Sequence, residues 1–405
     1  MDELQSSNIS ASELDEETKE KLKGDRIGDT LYSQSFVIKT LMCLSHEINC
    51  TKELEQDLCF LWDMTTDKDV CKYLFELQYP SLASEAIANC TEPRCVEILV
   101  GILANILLSD CEKSMTDTEI KLILDALITH DPLVLIQIMR FIEAMAIALP
   151  EKVCLLGEEI IEGRFQFILK YSENFELITY TMQALVRLTE GFKLDENEVN
   201  ASLFKAVIDG FDTIFSVQTN NFEVEIDTAE TSKIVKIFLN LISNMCAYAQ
   251  RFHHDDAIPT SINQSGRLAI TVCRILKHFS EEKNLFPVTQ DFSEYIDAFQ
   301  TIVTTRDVTL VQDLDNNFFR CCFGALCKIL YILHGSKNEV VDVFNTVLEF
   351  IGVIICLVDE KAVLDEIKNI RYRRGIVVLN SLKESSRTFE FDISDKLRFL
   401  FAEFK

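Results

Sequence analysis

This chain has little of what tight turns require. Of its 405 residues, 12 are glycine and 6 are proline, against average usage of roughly 7% and 5%. Sheets built from short hairpins lean on glycine for left-handed backbone, so the shortage argues against an all-β fold and for long helices. Cys-x-x-Cys occurs nowhere among the 14 cysteines, which removes the common zinc-site spacings. The longest uninterrupted apolar run, Ile351 to Val358 with Gly352 included, is far too short to span a bilayer. Positive charge is also scarce. Lys and Arg number 39 against 65 Asp and Glu, a formal net charge of −26. Such a surface repels nucleic-acid phosphates and would steer basic protein segments toward it, solubility alone being the plainer reading of the charge.

What is present is apolar material in helical order. Hydrophobic residues make up 48% of the chain, enough for a large core. Cys43, Cys71, Cys246, Cys273, Cys327 and Cys356 sit inside apolar helical patterns, where a free thiol behaves as a small hydrophobe. The start, Met1-Asp2-Glu3-Leu4, is acidic and polar and lacks signal-peptide character. Reduced thiols in an intracellular, reducing compartment, not secretion, are expected.

Residues 1–24 are acidic and poor in apolar side chains, and are expected to be a disordered tail. A turn at Gly28 and a cap at Ser33 or Ser35 precede a helix carrying Phe36, Val37, Thr40, Leu41, Leu44 and Ile48 on one face. A second helix is expected over Lys52 to Met64. Thr66 with Asp69 reads as a capping box for a third, which stops at Tyr79-Pro80. A short helix over Ser84 to Cys90 leads to another at about 93–109, opened by Pro93 and apolar around most of its circumference. Helices follow near 117–129, 132–149, 151–170, 173–190, 199–218, 231–250, 264–281, 291–305, 311–334, 337–358, 360–384 and 393–404. Pairs recur at about 40 to 45 residues, the armadillo/HEAT period.

Three stretches together resemble the serum amyloid A-like (Saal) family. They are Gly24-Asp25-Arg26-Ile27-Gly28-Asp29-Thr30-Leu31-Tyr32-Ser33, Leu58-Cys59-Phe60-Leu61-Trp62-Asp63-Met64-Thr65-Thr66-Asp67-Lys68-Asp69-Val70, and Arg94-Cys95-Val96-Glu97-Ile98-Leu99-Val100-Gly101-Ile102-Leu103-Ala104-Asn105. The match covers roughly 25–149. The resemblance implies an armadillo-type helical fold, no enzymatic activity and a proliferation-linked protein that is nuclear, or nuclear and cytoplasmic. It supplies no catalytic residues.

Trp62 is expected as a core anchor bridging two helices, its indole N–H finding a carbonyl; a binding hot spot is the alternative. Asp63 beside it and Gly101 of the apolar helix complete the expected structural anchors. Asn105 and Asn244 resemble the inner-helix asparagines of armadillo repeats, where a row of amides bonds the backbone of an extended peptide. An amide suits that task because it both donates and accepts; a locally bonded polar residue on a helix flank is the alternative. His253-His254-Asp255-Asp256 lacks the helical spacing of a metal site and reads as a solvated loop. Cys90 with Cys95, and Cys321-Cys322 with Cys327, read as structural thiols. Lys368 to Arg374, the one basic cluster, reads as a phosphate contact, a weak import signal or the solvated face of a helix paired with nearby acids.

The expectation is therefore all-α: an armadillo/HEAT-like helical-repeat superhelix over 25–405. It would be a non-enzymatic scaffold, without cofactor or metal, holding a protein partner's basic segment in an acidic concave groove through Asn105 and Asn244. Neither nucleic acid nor membrane is an expected partner. Binding through convex or end surfaces is the alternative, and an enzyme a more remote one. Oligomeric state is not encoded in any feature of the chain.

Overall fold

A computed structural model describes residues 24–46, 51–109, 114–157, 159–191, 193–194, 199–220, 228–251, 267–288, 290–304, 316–336, 339–385, 389 and 392–404. The expected tail, apart from Gly24, and the loop at 253–256 lie outside them. The described chain is all-α. An isolated antiparallel bridge joins Arg26 to Ser33, and the described residues form no strand. No described helix is long and apolar enough to cross a membrane.

Contacts divide the chain into two compact units, Met1–Ile160 with Gln183–Leu188, and Ile161–Met182 with Thr189–Lys405. The first contains α1 (Gln34–His46), α2 (Lys52–Met64), α3 (Lys68–Glu76), α4 (Tyr79–Asn89), α5 (Pro93–Leu108), α6 (Asp117–Asp125) and α7 (Pro132–Ala148). Here α4 pairs with α6, and α5 lies along α7, so alternate helices share a layer. Helices α2, α3 and α4 close over the remaining faces of α5. That accounts for its all-round apolarity: from Cys95 to Leu107 the one residue that is not buried is Asn105.

Local chemistry sets the ends of these helices. Thr51 Oγ1 accepts from Leu54 N at 3.2 Å to open α2, and Asp131 caps α7 ahead of Pro132. Ser33 Oγ accepts from Phe36 N, 3.1 Å, at the start of α1. Two expected boundaries are corrected. Asp67, not Thr66, caps α3, its carboxylate accepting from Asp69 N. Pro80 does not stop a helix; it lies in the first turn of α4, where a missing N–H costs little. The break falls at Gln78, which takes φ 58°.

The second unit begins within the expected 151–170 helix, which is broken. After a 3₁₀ stretch over Pro150–Leu156 and Gly157 at φ 53°, Glu159–Phe165 winds as a π-helix into α8 (Gln166–Tyr171). Helix α9 (Phe175–Thr189) supplies residues to both units. Next come α10 (Ala201–Asn220), α11 (Thr228–Arg251), α12 (Arg267–Phe279), α13 (Gln290–Thr304), α14 (Asn316–His334) and α15 (Val341–Leu357). The expected 360–384 helix divides at Ile370–Arg371 into α16 (Glu360–Asn369) and α17 (Tyr372–Ser385); α18 (Ser394–Glu403) is the last. Alternation recurs: α11, α13 and α15 form one layer, and α10, α12, α14 and α17 the other. Each helix quenches its apolar stripe against neighbours in both layers, the helical-repeat solution to a face no single hairpin buries. Phe211 of α10 stacks on Phe238 of α11, ring centroids 4.0 Å apart, and Tyr295 of α13 donates to Ser232 O of α11 at 2.7 Å.

Candidate functional site

In the first unit, a line of hydrogen-bonding side chains crosses helices that are otherwise apolar. It starts at Arg94, in the first turn of α5. Its Nη1 lies 2.7 Å from Glu97 Oε1, its Nε 3.9 Å from Glu55 Oε1, and its guanidinium 5.9 Å from the centre of the Trp62 ring. The hydrogen bond to Glu97 raises the arginine pKa, against an opposing effect of burial.

The indole of Trp62 packs against α5 at Gly101. A Cβ built on Gly101 would fall 2.4 Å from Trp62 Cζ2. Only glycine leaves room for the indole there. The ring is half-buried, and no carbonyl of the described residues accepts from its N–H. Asp63 is exposed, and its contribution to packing is made by the backbone: its carbonyl accepts from Thr66 Oγ1 at 2.9 Å.

One turn beyond Gly101, Asn105 Nδ2 donates to Thr65 Oγ1 at 2.8 Å. Thr65 in turn donates to Trp62 O. Arg140 of α7 completes the junction, Nη2 donating to Asn105 Oδ1 at 3.1 Å and Nη1 to Gln137 Oε1 at 2.6 Å. Farther along, Glu143 Oε1 lies 3.6 Å from Arg187 Nε. Gln183, one turn before Arg187, buries its Oε1 without a hydrogen-bond partner.

Asn244 is in the second unit, on α11. Its Nδ2 donates to Thr189 Oγ1 at 3.2 Å. Thr65 directly follows α2 and Thr189 ends α9, and both are buried. The two asparagines thus share a local role: each bonds a threonine hydroxyl at the end of an earlier helix. Both amides are legible in the sequence; the parts played by Thr65, Glu97, Arg140 and Thr189 are not. A lone Glu or Arg inside an apolar helix, as in Val96-Glu97-Ile98 and Met139-Arg140-Phe141, was the available signal.

Where the line is ion-paired, two arginines, Arg94 and Arg187, face three carboxylates, Glu55, Glu97 and Glu143. A separate groove of about 1090 Å³, also in the first unit, is lined by Lys72, Glu76, Gln78, Thr116, Glu119 and Lys152. Lys152 Nζ sits 2.6 Å from Asp117 Oδ1, which holds the carboxylate below its usual range. No group of three or more metal-ligating side chains occurs among the described residues.

The basic cluster straddles the α16–α17 break. Arg374 stacks over Tyr331, 5.6 Å from the ring centre, and Tyr372 stacks on Phe404. The expected pairing with acids is corrected: among the described residues, Lys368, Arg371, Arg373 and Arg374 have no ion-pair partner. Lys368, Arg371 and Arg373 are exposed, and Arg374 is half-buried.

No protein-family model matches this chain. It is similar to Protein saal1 of Danio rerio, 36% identical over 110 residues, covering 24% of each chain. It is also similar to Protein SAAL1 of Mus musculus, 27% identical over 197 residues, covering 43% of this chain and 41% of that protein; the Homo sapiens protein matches to the same extent. The chain thus spans less than half the length of the curated relatives it matches. Two solved structures described as engineered proteins are similar over 66% of the chain, at 16% and 13% identity with TM-scores of 0.42 and 0.43. The fold description rests on the helices themselves.

Proposed function

We propose that this protein is a non-enzymatic interaction scaffold of the Saal family, and that its inner polar line receives an extended segment of a partner protein. One observation carries the reading: half-buried hydrogen-bonding groups at Asn105, Arg140, Gln183 and Arg187 sit directly among buried apolar neighbours on their helices. Asn105 keeps one amide hydrogen and one carbonyl lone pair beyond its bonds to Thr65 and Arg140. The orphaned carbonyl of Gln183 is an acceptor that a partner's N–H would satisfy. The net charge of −26 draws a basic segment by its long-range field. Amides then hold partner backbone within each unit separately, Asn105 in the first and Asn244 in the second. The similarity to the Saal proteins extends the reading to a nuclear, proliferation-linked role, with Lys368 to Arg374 as the import signal.

Affinity capture by the full chain, followed by residue-level cross-linking, tests this. Partner cross-links should cluster around Trp62, Asn105 and Arg187, and Asn105→Ala with Asn244→Ala should reduce capture while the protein still melts cooperatively. Unchanged capture by a folded double variant would refute the groove reading. A second reading, binding through another surface, draws on the exposed aromatics Phe167 and Tyr171, whose rings lie 5.2 Å apart on α8. Cross-links centred on that pair would favour it.

A further inference from the structure

Helix α7 is buried from Val134 to Ile142 with one exception, Arg140, which is half-buried. Two of its five N–H donors are spent on amide oxygens. Nη1 donates to Gln137 Oε1 at 2.6 Å and Nη2 to Asn105 Oδ1 at 3.1 Å. Both acceptors are neutral. Among the described residues, no carboxylate forms an ion pair with Arg140. Glu143 stands one turn farther along α7, and Arg187 Nε takes it at 3.6 Å. Arg94, at the other end of the polar line, has Glu97 at 2.7 Å. Arg140 thus differs from the line's other arginines in having no counter-charge among the described residues.

A guanidinium partly removed from water costs free energy unless an opposite charge or a full set of hydrogen bonds satisfies it. Two amide oxygens leave three N–H groups over. A neutral donor could hold the same two oxygens at lower cost, so the charge has a use beyond them. Position decides what the counter-charge belongs to. The line runs from Arg94 and Trp62 through Asn105 and Arg140 to Glu143 and Arg187. A segment lying along it crosses Arg140 partway, so a side chain rather than a chain terminus meets the guanidinium. A carboxylate fits better than a phosphate. Its two planar oxygens match the guanidinium fork. Phosphopeptide sites gather several arginines, and here Arg94 and Arg187 are already paired with carboxylates.

Resting on the groove reading above, we propose that Arg140 selects an Asp or Glu side chain in the partner's extended segment. Its remaining N–H groups donate to the carboxylate oxygens, while Asn105, held by the same arginine, bonds the neighbouring backbone. Two features of the partner follow. One is a net positive charge, which the field of the chain attracts from a distance; the other is one acidic residue placed to meet Arg140. Arg140 is thereby a specificity-determining residue. A segment without that acid shields the guanidinium from water and gives it no counter-charge, which weighs against the wrong partner.

The test selects a synthetic library of random peptides, flanked by lysine and amidated at the C-terminus, by affinity on the full chain. Peptides that cross-link beside Trp62 or Asn105 are sequenced. They should share an Asp or Glu at a fixed place relative to the cross-link. In one such peptide, replacing that acid by its amide should weaken binding about 30-fold or more, the scale for breaking a desolvated charge pair. Arg140→Gln should bring the acidic peptide down to the same affinity and leave the amide peptide's binding unchanged. Arg140→Lys keeps the charge and should retain part of the preference; it serves if Arg140→Gln does not fold. Equal losses for both peptides would assign Arg140 to holding Asn105 in place and overturn the proposal. So would binding restored by a free C-terminal carboxylate in place of the side-chain acid. If peptides bind at the line with no acidic preference, this inference alone fails. If none cross-links there, the groove reading fails and this inference with it.

Discussion

Trp62 and Gly101 fit each other so closely that the indole occupies the space a Cβ on residue 101 would need, with Cζ2, Cε2 and Nε1 all within 2.8 Å of it. Two consecutive layers of the first unit are registered by this contact, since α2 meets α5 there. Glycine in a helix interior costs roughly 0.5–1 kcal/mol relative to alanine, so its presence in the middle of α5 has a steric reason.

Gly101→Ala should therefore destabilise the protein despite the better helix propensity of alanine. Forcing a methyl group against a rigid ring costs about 1–3 kcal/mol. Denaturant titration followed by the emission of Trp62, the sole tryptophan, reports both stability and the ring's environment. A gain in stability with unchanged emission would show that the ring moves aside freely.

The two asparagine–threonine bonds predict coupled losses. Thr65→Val leaves the Asn105 amide short of an acceptor at a half-buried site, a cost of about 1–2 kcal/mol. A double-mutant cycle with Asn105→Ala should show the second substitution adding little to the first. The same cycle at Thr189 and Asn244 should behave alike; full additivity at both sites would mean the bonds contribute nothing.

Asp25 organises the turn before α1. Its carboxylate accepts from Ser33 Oγ, from Ser35 N at 2.8 Å and from Ser35 Oγ at 2.6 Å. These bonds, led by that from the Ser33 side chain, hold its pKa below the ordinary 3.8. A depressed carboxylate pKa favours folding at pH above the unfolded value, and the contribution is lost as pH falls through the folded value. Asp25→Asn should lower the melting temperature at neutral pH, and the difference from wild type should shrink at pH below 3.8. A gap of constant size across that window would contradict the assignment.

Lys396 of α18 closes the end of α15. Its Nζ donates to the carbonyls of Ile355, Cys356 and Val358 at 2.8, 2.9 and 2.7 Å. Lys396→Met keeps the aliphatic stem and removes the donors, leaving C-terminal carbonyls to other partners. Hydrogen bonds to a charged group are worth about 1.5–3 kcal/mol, so a loss of that order is expected by chemical denaturation. Faster amide exchange should appear in the last turn of α15 and in α18. Exchange unchanged in both would place the anchoring elsewhere.

Helix type was legible along most of the chain because apolar spacing is a local property. The Lys52–Met64 helix is legible from its apolar spacing, and the starts at Pro93 and Pro132 from their prolines. Boundaries set by a single backbone torsion were not. Gln78 at φ 58° turns an apparent stop at Pro80 into a helix start, and Gly157 at φ 53° precedes the break into 3₁₀ and π turns. Neither residue type dictates its torsion without the packing around it.

The sequence by itself determined an all-helical chain, the positions of Trp62, Gly101, Asn105 and Asn244 on their helices, and an acidic surface. Each of these follows from residue type and short-range spacing. Only the tertiary structure decided that Trp62 covers Gly101, that both asparagines bond threonines 40 and 55 residues away, and that Arg140 of α7 bonds Asn105 of α5. Those relations join residues on different helices. Their geometry is settled when apolar faces close on one another, and short-range spacing carries no record of which faces meet.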